Sequence, residues 1–492
     1  MQLCTKPNRI NFLVCIKFIS SSNQLYMPIK KILFYIIGTC SLLIPAFYNG
    51  YPLVYSDTGS YMFGGMDLVL PKDRPIMYGL FIHFFSLNFS LWMVICAQAL
   101  IVFFVLWQVF KLAANSPVSK RFFILSMALL SWFTGLGWYT SQLMPDIFTI
   151  ITLSTILLLL FREKHSVTQN IIFSIVLIFS MNTHFSNYLI ASGTIFILLV
   201  FSRHRRFLDI RKEISFRLPI IAIIVAIAVG STTNFVIGKT FKISQNSHVF
   251  LMGKMLDSGV LKSFLDDNCA TKKYSLCDCK NVLPESSRNL LWDVDSPLQR
   301  NGDWKNSEED YNRVLAGIAT SPKHLSLFLY NDIWSFITQL FQNDLGSGLV
   351  SNWYGDPTSP PYTAISKYFP YELNQYKQSR QNTNLWEQNL DLKLINYINF
   401  FLLLTSTMII INQLFLSSKR TQYNSKTRIV IFTLLIGIVI NAIVISSLAN
   451  VYDRLQARVS WALIFCAFLL FTYHKTQLTN SVSAFLKNKD SK

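Results

Sequence analysis

The chain has 492 residues, 51% of them hydrophobic and only 14% charged, and its 44 Lys and Arg against 26 Asp and Glu give a formal charge of +18. With Phe alone filling 40 positions, it is poorer in charge and richer in aromatics than a water-soluble domain. Disorder, collagen-like repetition and a small disulfide scaffold are excluded by the same figures.

In chain order, residues 1–30 form an N-terminal segment whose apolar stretch, Phe12–Ile19, is broken by Lys17 and lacks a small-residue cleavage site. It does not read as a signal peptide. Met27 heads Met-Pro-Ile-Lys-Lys, an ordinary membrane-protein start, so Met1 and Met27 both stand as candidate starts. Windows of about 19 residues then predict membrane spans at 31–48, 90–110, 122–138, 147–161, 170–184, 186–202, 218–238, 395–416, 429–448 and 458–473. The expected fold class is mainly α: a polytopic helical membrane protein of about ten transmembrane helices, with a transmembrane core over 31–238 and C-terminal helices over 395–474.

Orientation follows from the basic residues, because short loops rich in Lys and Arg stay cytoplasmic. Lys30 and Lys31, then Lys111, Lys120 and Arg121, Arg162 and Lys164, the run Arg203–Arg217, Lys419–Arg428 and the tail 475–492 all fall on one side. Both termini are then cytoplasmic. The long stretch 239–394 is extracytoplasmic and is expected to form a loop domain; it holds 16 basic and 17 acidic residues, against 28 and 9 in the rest. The positive charge is therefore a topology signal and not a nucleic-acid footprint. Within that stretch His324–Phe341 contains Asn331, Asp332 and Gln339, and it reads as an amphipathic helix packed on the loop domain or lying in the interface.

Ionisable groups near hydrocarbon are costly and usually functional. At the outer ends of the spans they are few, and Asp57, Arg74, Asp146, His184, Arg454 and Arg458 stand out. Asp57 lies in Tyr55-Ser56-Asp57-Thr58-Gly59-Ser60-Tyr61, inside a first outer loop over 49–89 that folds across the membrane surface. A local helix cap accounts for it equally well. Asp146 follows Pro145 at the mouth of a span, which also suits an ordinary helix start. Arg454 and Arg458 stand four apart on one helix face, against the charge bias found everywhere else; structural pairing with Asp453 or with an anionic lipid headgroup, and binding the phosphate of a lipid-linked substrate, are the readings.

An Asp in the first outer loop directly after the first span, a Pro-Asp at a later outer helix start, many spans and one large outer loop resemble the GT-C class of membrane glycosyltransferases. Tyr55–Tyr61 and Met144–Asp146 are the local anchors of the resemblance, which is best over the first 200 residues. The class takes a sugar from a polyprenyl-phosphate carrier. The resemblance implies Asp57 as the base of an inverting displacement and Asp146 as its acidic partner. It further implies that Arg74, Arg454 and Arg458 hold the departing phosphate, and that His184 helps position donor or acceptor. The partners implied are a polyprenyl-phosphate-linked sugar and a glycan, lipid or protein acceptor, at the outer face of a bacterial inner membrane. No cofactor is implied beyond the lipid-linked donor. The acidic pair common in the class is absent, Thr58 following Asp57, which leaves a divalent metal open.

In the outer loop Cys269 is expected to pair with Cys277 or Cys279, leaving one cysteine over. The aromatic stretch Trp353–Tyr362 reads as loop packing or as a wall on which a sugar ring stacks. Neither repeats nor a G-x-S-x-G nucleophile motif occurs. An O-antigen-type polymerase or ligase and a membrane transporter are the competing readings.

Overall fold

The computed structural model describes residues 29–114, 119–203, 213–300, 303–346, 349, 353–383, 392–416 and 425–471. Most of the N-terminal segment, with Cys4, Cys15 and Met27, lies outside the described residues, as do the basic stretch 204–212, Lys419, Arg420 and the C-terminal tail. Among the described residues the chain is helical, and the β structure is one isolated parallel bridge between Leu53 and Gln142.

Among the described residues five helices are long and apolar enough to cross a membrane: Leu91–Ala113, Arg217–Gly238, Leu392–Leu414, Ser425–Leu448 and Asp453–Phe471. Pro145–Leu160, Val167–Asn182 and Ser186–Ser202 are apolar but shorter. All thirteen residues of Phe148–Leu160 are buried, so this helix is the axis of the bundle and presents no face to lipid. Its polar side chains look to its neighbours, Thr149 to Asn187 and Thr152 to Ser180, each at 2.9 Å.

The span expected at 122–138 is not one helix. It breaks at Thr134 into Lys120–Phe133 and Gly135–Thr140. Thr134 is extended, and its hydroxyl accepts from the Leu136 N–H, capping the second piece. Gly135 comes so close to the Ala457 carbonyl that a side chain there would strike backbone. The first helix is also in two parts, 29–42 and Ile44–Asn49, with Pro45 starting the second.

The bundle has two distinct ends. At one, Thr427 donates to the Ala113 carbonyl and the Ser215 N–H to the Leu160 carbonyl, gathering the basic connections. At the other lie the first loop, the mouth of Pro145–Leu160 and the start of Asp453–Phe471. Residues 239–394 divide between two buried clusters. Those from Val249 to Ile318 form a separate core tied by the Cys269–Cys277 disulfide, with Cys279 left as the thiol. Leu345, Tyr354, Ile365 and Tyr376 instead join the main core beside the first loop. Helix Pro322–Phe341 runs inside out: His324 and Gln339 are buried, while Leu329, Ile333, Trp334 and Phe341 are exposed.

Two helices of the first loop, Thr58–Met66 and Met77–Ser86, cross at Gly65 and Gly79, where each backbone occupies the space of the other's absent Cβ. This close approach bears on the separation of Asp57, which directly precedes the first helix, and Arg74, three residues before the second. Gly79→Ala is expected to destabilise the folded protein by about 1–3 kcal/mol through overpacking. Gly355→Ala, whose new methyl meets only ordinary contacts, is expected to be neutral. Thermal unfolding in detergent checks the difference.

Candidate functional site

Irregular backbone at a bilayer boundary needs its N–H and C=O groups satisfied by protein. Two buried glutamines do this. The Gln98 amide donates to the carbonyls of Tyr139, Thr140 and Gln142 at 2.9–3.2 Å and its oxygen accepts from the Tyr78 hydroxyl. Gln381 pairs with both the N–H and C=O of Val54 and also reaches the Leu349 carbonyl. Thr58, fully buried, accepts from the Tyr55 N–H and donates to the Leu143 carbonyl at 3.2 Å. The residue standing where an acidic pair was expected thus ties the Asp57 turn to the Pro-Asp turn.

On this frame the structure brings all six expected charged or ring residues together. Arg74 Nη1 lies 3.3 Å from Asp57 Oδ2, and Arg454 Nη1 lies 3.5 Å from the same oxygen. Arg454 also faces Asp146 Oδ2 at 3.8 Å, and Arg458 Nη1 is 3.3 Å from Asp146 Oδ1. Arg458 Nη2 donates to the Ser186 hydroxyl at 3.1 Å and to Asn441 Oδ1 at 3.0 Å. His184 Nδ1 accepts from the Ser186 N–H and stands 2.8 Å from its hydroxyl, so the ring proton sits on Nε2. Asp73 closes the other end of the row by pairing with Arg74.

Burial grades across the row. The side chains of Arg458 and Asp146 are 0% and 1% exposed, those of Arg74 and Arg454 are 11% and 13%, and that of Asp57 is 29%. Asp57 is the carboxylate within reach of a ligand. Its side chain makes no cap hydrogen bond to the helix it precedes, which removes the local-cap reading. Burial works to raise its carboxyl, but the Arg74 and Arg454 guanidiniums, then hydrogen bonds from Arg74 and Ser56, outweigh that and hold it below the usual carboxylate range. Arg454 Cζ stands over the Tyr55 ring, 4.1 Å from its centre, and Arg74 Cζ over the Tyr61 ring at 4.9 Å. Asp453 is not the partner of Arg454; it accepts from the Asp344 N–H. Enclosed by Asp146, Ser186 and Asn441, Arg458 sits apart from any surface where it would meet a phosphate.

Asp146 Oδ2 and Arg454 Nη1 are both buried without a hydrogen bond among the described residues. Behind Tyr55 stands Tyr354, ring to ring at 6.5 Å, with Trp353 exposed beside it. Among the described residues no three His, Cys, Asp or Glu side chains stand together as a metal site needs. Reading the sequence places Asp73 among the charges at the span ends without a role and misses Ser186 and Asn441, for which the one signal is Asn441 as a lone amide inside an apolar run.

No protein-family model, curated protein or solved structure matches the chain. The geometry of the row carries the functional reading.

Removing one member of a buried pair leaves the other charge uncompensated. Asp146→Asn is therefore expected to destabilise the protein by about 3–5 kcal/mol, with partial recovery in the Asp146→Asn, Arg458→Gln double variant. Asp57→Asn is expected to cost far less. Unfolding midpoints of the three variants check the order.

Proposed function

We propose that the chain is an integral membrane glycosyltransferase that moves a sugar from a polyprenyl-phosphate carrier to an envelope glycan, lipid or protein acceptor, with inversion at the anomeric carbon. Ten crossings with both termini cytoplasmic and 239–394 outside belong to this reading. It is supported by the meeting of the basic connections at one end of the bundle and of the acid–arginine row at the other. The observation that carries the proposal is the row itself: a reachable carboxylate, Asp57, flanked by two partly open guanidiniums, Arg74 and Arg454.

In this reading Asp57 takes the proton from an acceptor hydroxyl as its oxygen attacks the anomeric carbon. The bond from that carbon to the phosphate oxygen breaks, and the electron pair leaves with the polyprenyl phosphate. Arg74 and Arg454 carry the charge that develops there. Asp146 and Arg458, too buried to touch substrate, are positioning residues that fix Arg454 and the start of the last span. His184 acts one step further back, through Ser186. Tyr55 and Trp353 offer rings on which a sugar stacks. A transporter needs ionisable groups at mid-depth, whereas this row gathers where helices begin and end.

The arginines hold Asp57 ionised in the free enzyme, and a bound phosphate competes for them. Donor binding thus both loosens Asp57 from its partners and adds a negative charge beside it, which makes it a stronger base as substrate arrives. The acid limb of kcat/KM, which reports the free enzyme, is expected below the ordinary carboxylate pKa of about 4, and that of kcat above it. A shared acid limb in the two profiles refutes the competition.

Release of free polyprenyl phosphate from polyprenyl-phosphate sugars, measured in membranes, tests the activity itself. Asp57→Asn is expected to lower kcat by about 100- to 10,000-fold with membrane insertion unchanged. Arg454→Lys is expected to lower kcat and kcat/KM together, as loss of support for the developing charge requires. Full activity of Asp57→Asn removes the base assignment, and no release from any such donor by the wild type removes the proposal.

A further inference from the structure

At the opposite end of the bundle from Asp57, a cavity of about 300 Å³ opens between the first helix and the helices Leu91–Ala113, Lys120–Phe133 and Val167–Asn182. Three lysines line it, Lys31, Lys111 and Lys120. Their mutual repulsion has no local answer: Lys31 and Lys120 both act on Lys111, while the acids of this end are engaged elsewhere, Glu163 with Arg162 and Glu213 with Ser425. Among the described residues none of the three has a carboxylate within ion-pair distance.

Helix polarity deepens the imbalance. Lys120 is the first residue of its helix, where the macrodipole is already positive and a cation is unfavourable, and Lys31 lines the same cavity. An anion between them offsets both terms at once. Below the ammonium groups the wall is apolar and aromatic. Lys111 Nζ stands 5.8 Å from the Trp107 ring centre and Lys120 Nζ 5.1 Å from that of Phe34, and Ile172 continues the wall on the facing helix. Gln108 and Gln169 add amide donors. A polar anion at the mouth with a hydrocarbon chain along the wall satisfies both parts, whereas a soluble phosphate leaves the aromatic wall uncovered.

We infer that Lys31, Lys111 and Lys120 form a binding site for the phosphate headgroup of an anionic phospholipid, one chain of which lies against Phe34, Trp107 and Ile172. The site holds this end of the bundle at the headgroup layer and stands whatever reaction the other end performs.

The test titrates the full chain in a mild non-ionic detergent with dioctanoyl phosphatidylglycerol, dioctanoyl phosphatidylcholine and inorganic phosphate, read by native mass spectrometry and by the shift in unfolding midpoint. Phosphatidylglycerol is expected to bind as one lipid per chain and to stabilise, with phosphatidylcholine weaker by at least tenfold. Each Lys→Gln at Lys31, Lys111 or Lys120 is expected to weaken phosphatidylglycerol about fivefold, and Arg162→Gln, outside the cavity, to leave it unchanged. Lys31→Gln, at an exposed position, serves if Lys111→Gln or Lys120→Gln does not fold. Equal binding of the two lipids, or unchanged binding in Lys31→Gln and Lys111→Gln, overturns the site. Displacement of the lipid by inorganic phosphate at matching concentration overturns its assignment to a lipid.

Discussion

One end of the molecule depends on a row of alternating charges, Asp73, Arg74, Asp57, Arg454, Asp146 and Arg458, in which every interior member faces opposite charge on both sides. Three carboxylates against three guanidiniums make it neutral as a whole, which is what allows Arg458 and Asp146 to be enclosed where an isolated charge would be prohibitively costly. Neutrality also makes the row non-local: the first loop, the Pro-Asp turn and the last helix hold one another through it. Exposure then singles out one member. Arg458 and Asp146 are structural by position, and Asp57, inside the row but its most exposed side chain, is where a ligand would compete.

That row could not be presented without irregular backbone, and irregular backbone near lipid has to be answered by side chains. Gln98, Gln381 and Thr58 each answer several backbone groups. Glu372 does the same for the outer segment, accepting from the Tyr51 and Ser90 hydroxyls at 2.8 and 2.6 Å. These polar residues hold position, and the charged ones face the opening. The break at Thr134 belongs to the same scheme, because the short piece Gly135–Thr140 brings its backbone against the turn that carries Arg454 and Arg458.

Much of this was legible from charge alone. Asp57, Asp146, Arg454 and Arg458 stand out because an apolar chain carries so few ionisable groups at span ends, and a helical membrane protein follows from the long apolar runs. What was hidden was whatever depends on contacts far apart in sequence. Ser186, Asn441 and Asp73 look ordinary until Arg458 and Arg74 reach them. Hydropathy shows nothing at Thr134, because the residues on both sides are apolar and the break is satisfied internally. Full burial of Phe148–Leu160 was equally invisible, since a helix facing protein and a helix facing lipid are apolar alike. The inward polar face of Pro322–Phe341 follows the helical period seen in the sequence, but which side faces the protein is a tertiary fact.

The two ends of the bundle therefore handle charge by opposite means. At one, acids and arginines from distant segments neutralise each other and leave a single carboxylate open. At the other, three lysines line one cavity with the neighbouring acids turned away. An internally neutral end needs no external counter-ion to fold, so its open carboxylate is free to engage a transient ligand. A positively charged end is stable only where a permanent counter-charge exists, and the headgroup layer of an anionic bilayer supplies one continuously. In the proposed orientation the net charge of the chain would act as an orienting force, setting the lysine end against lipid phosphate and the Asp57 end toward the opposite compartment.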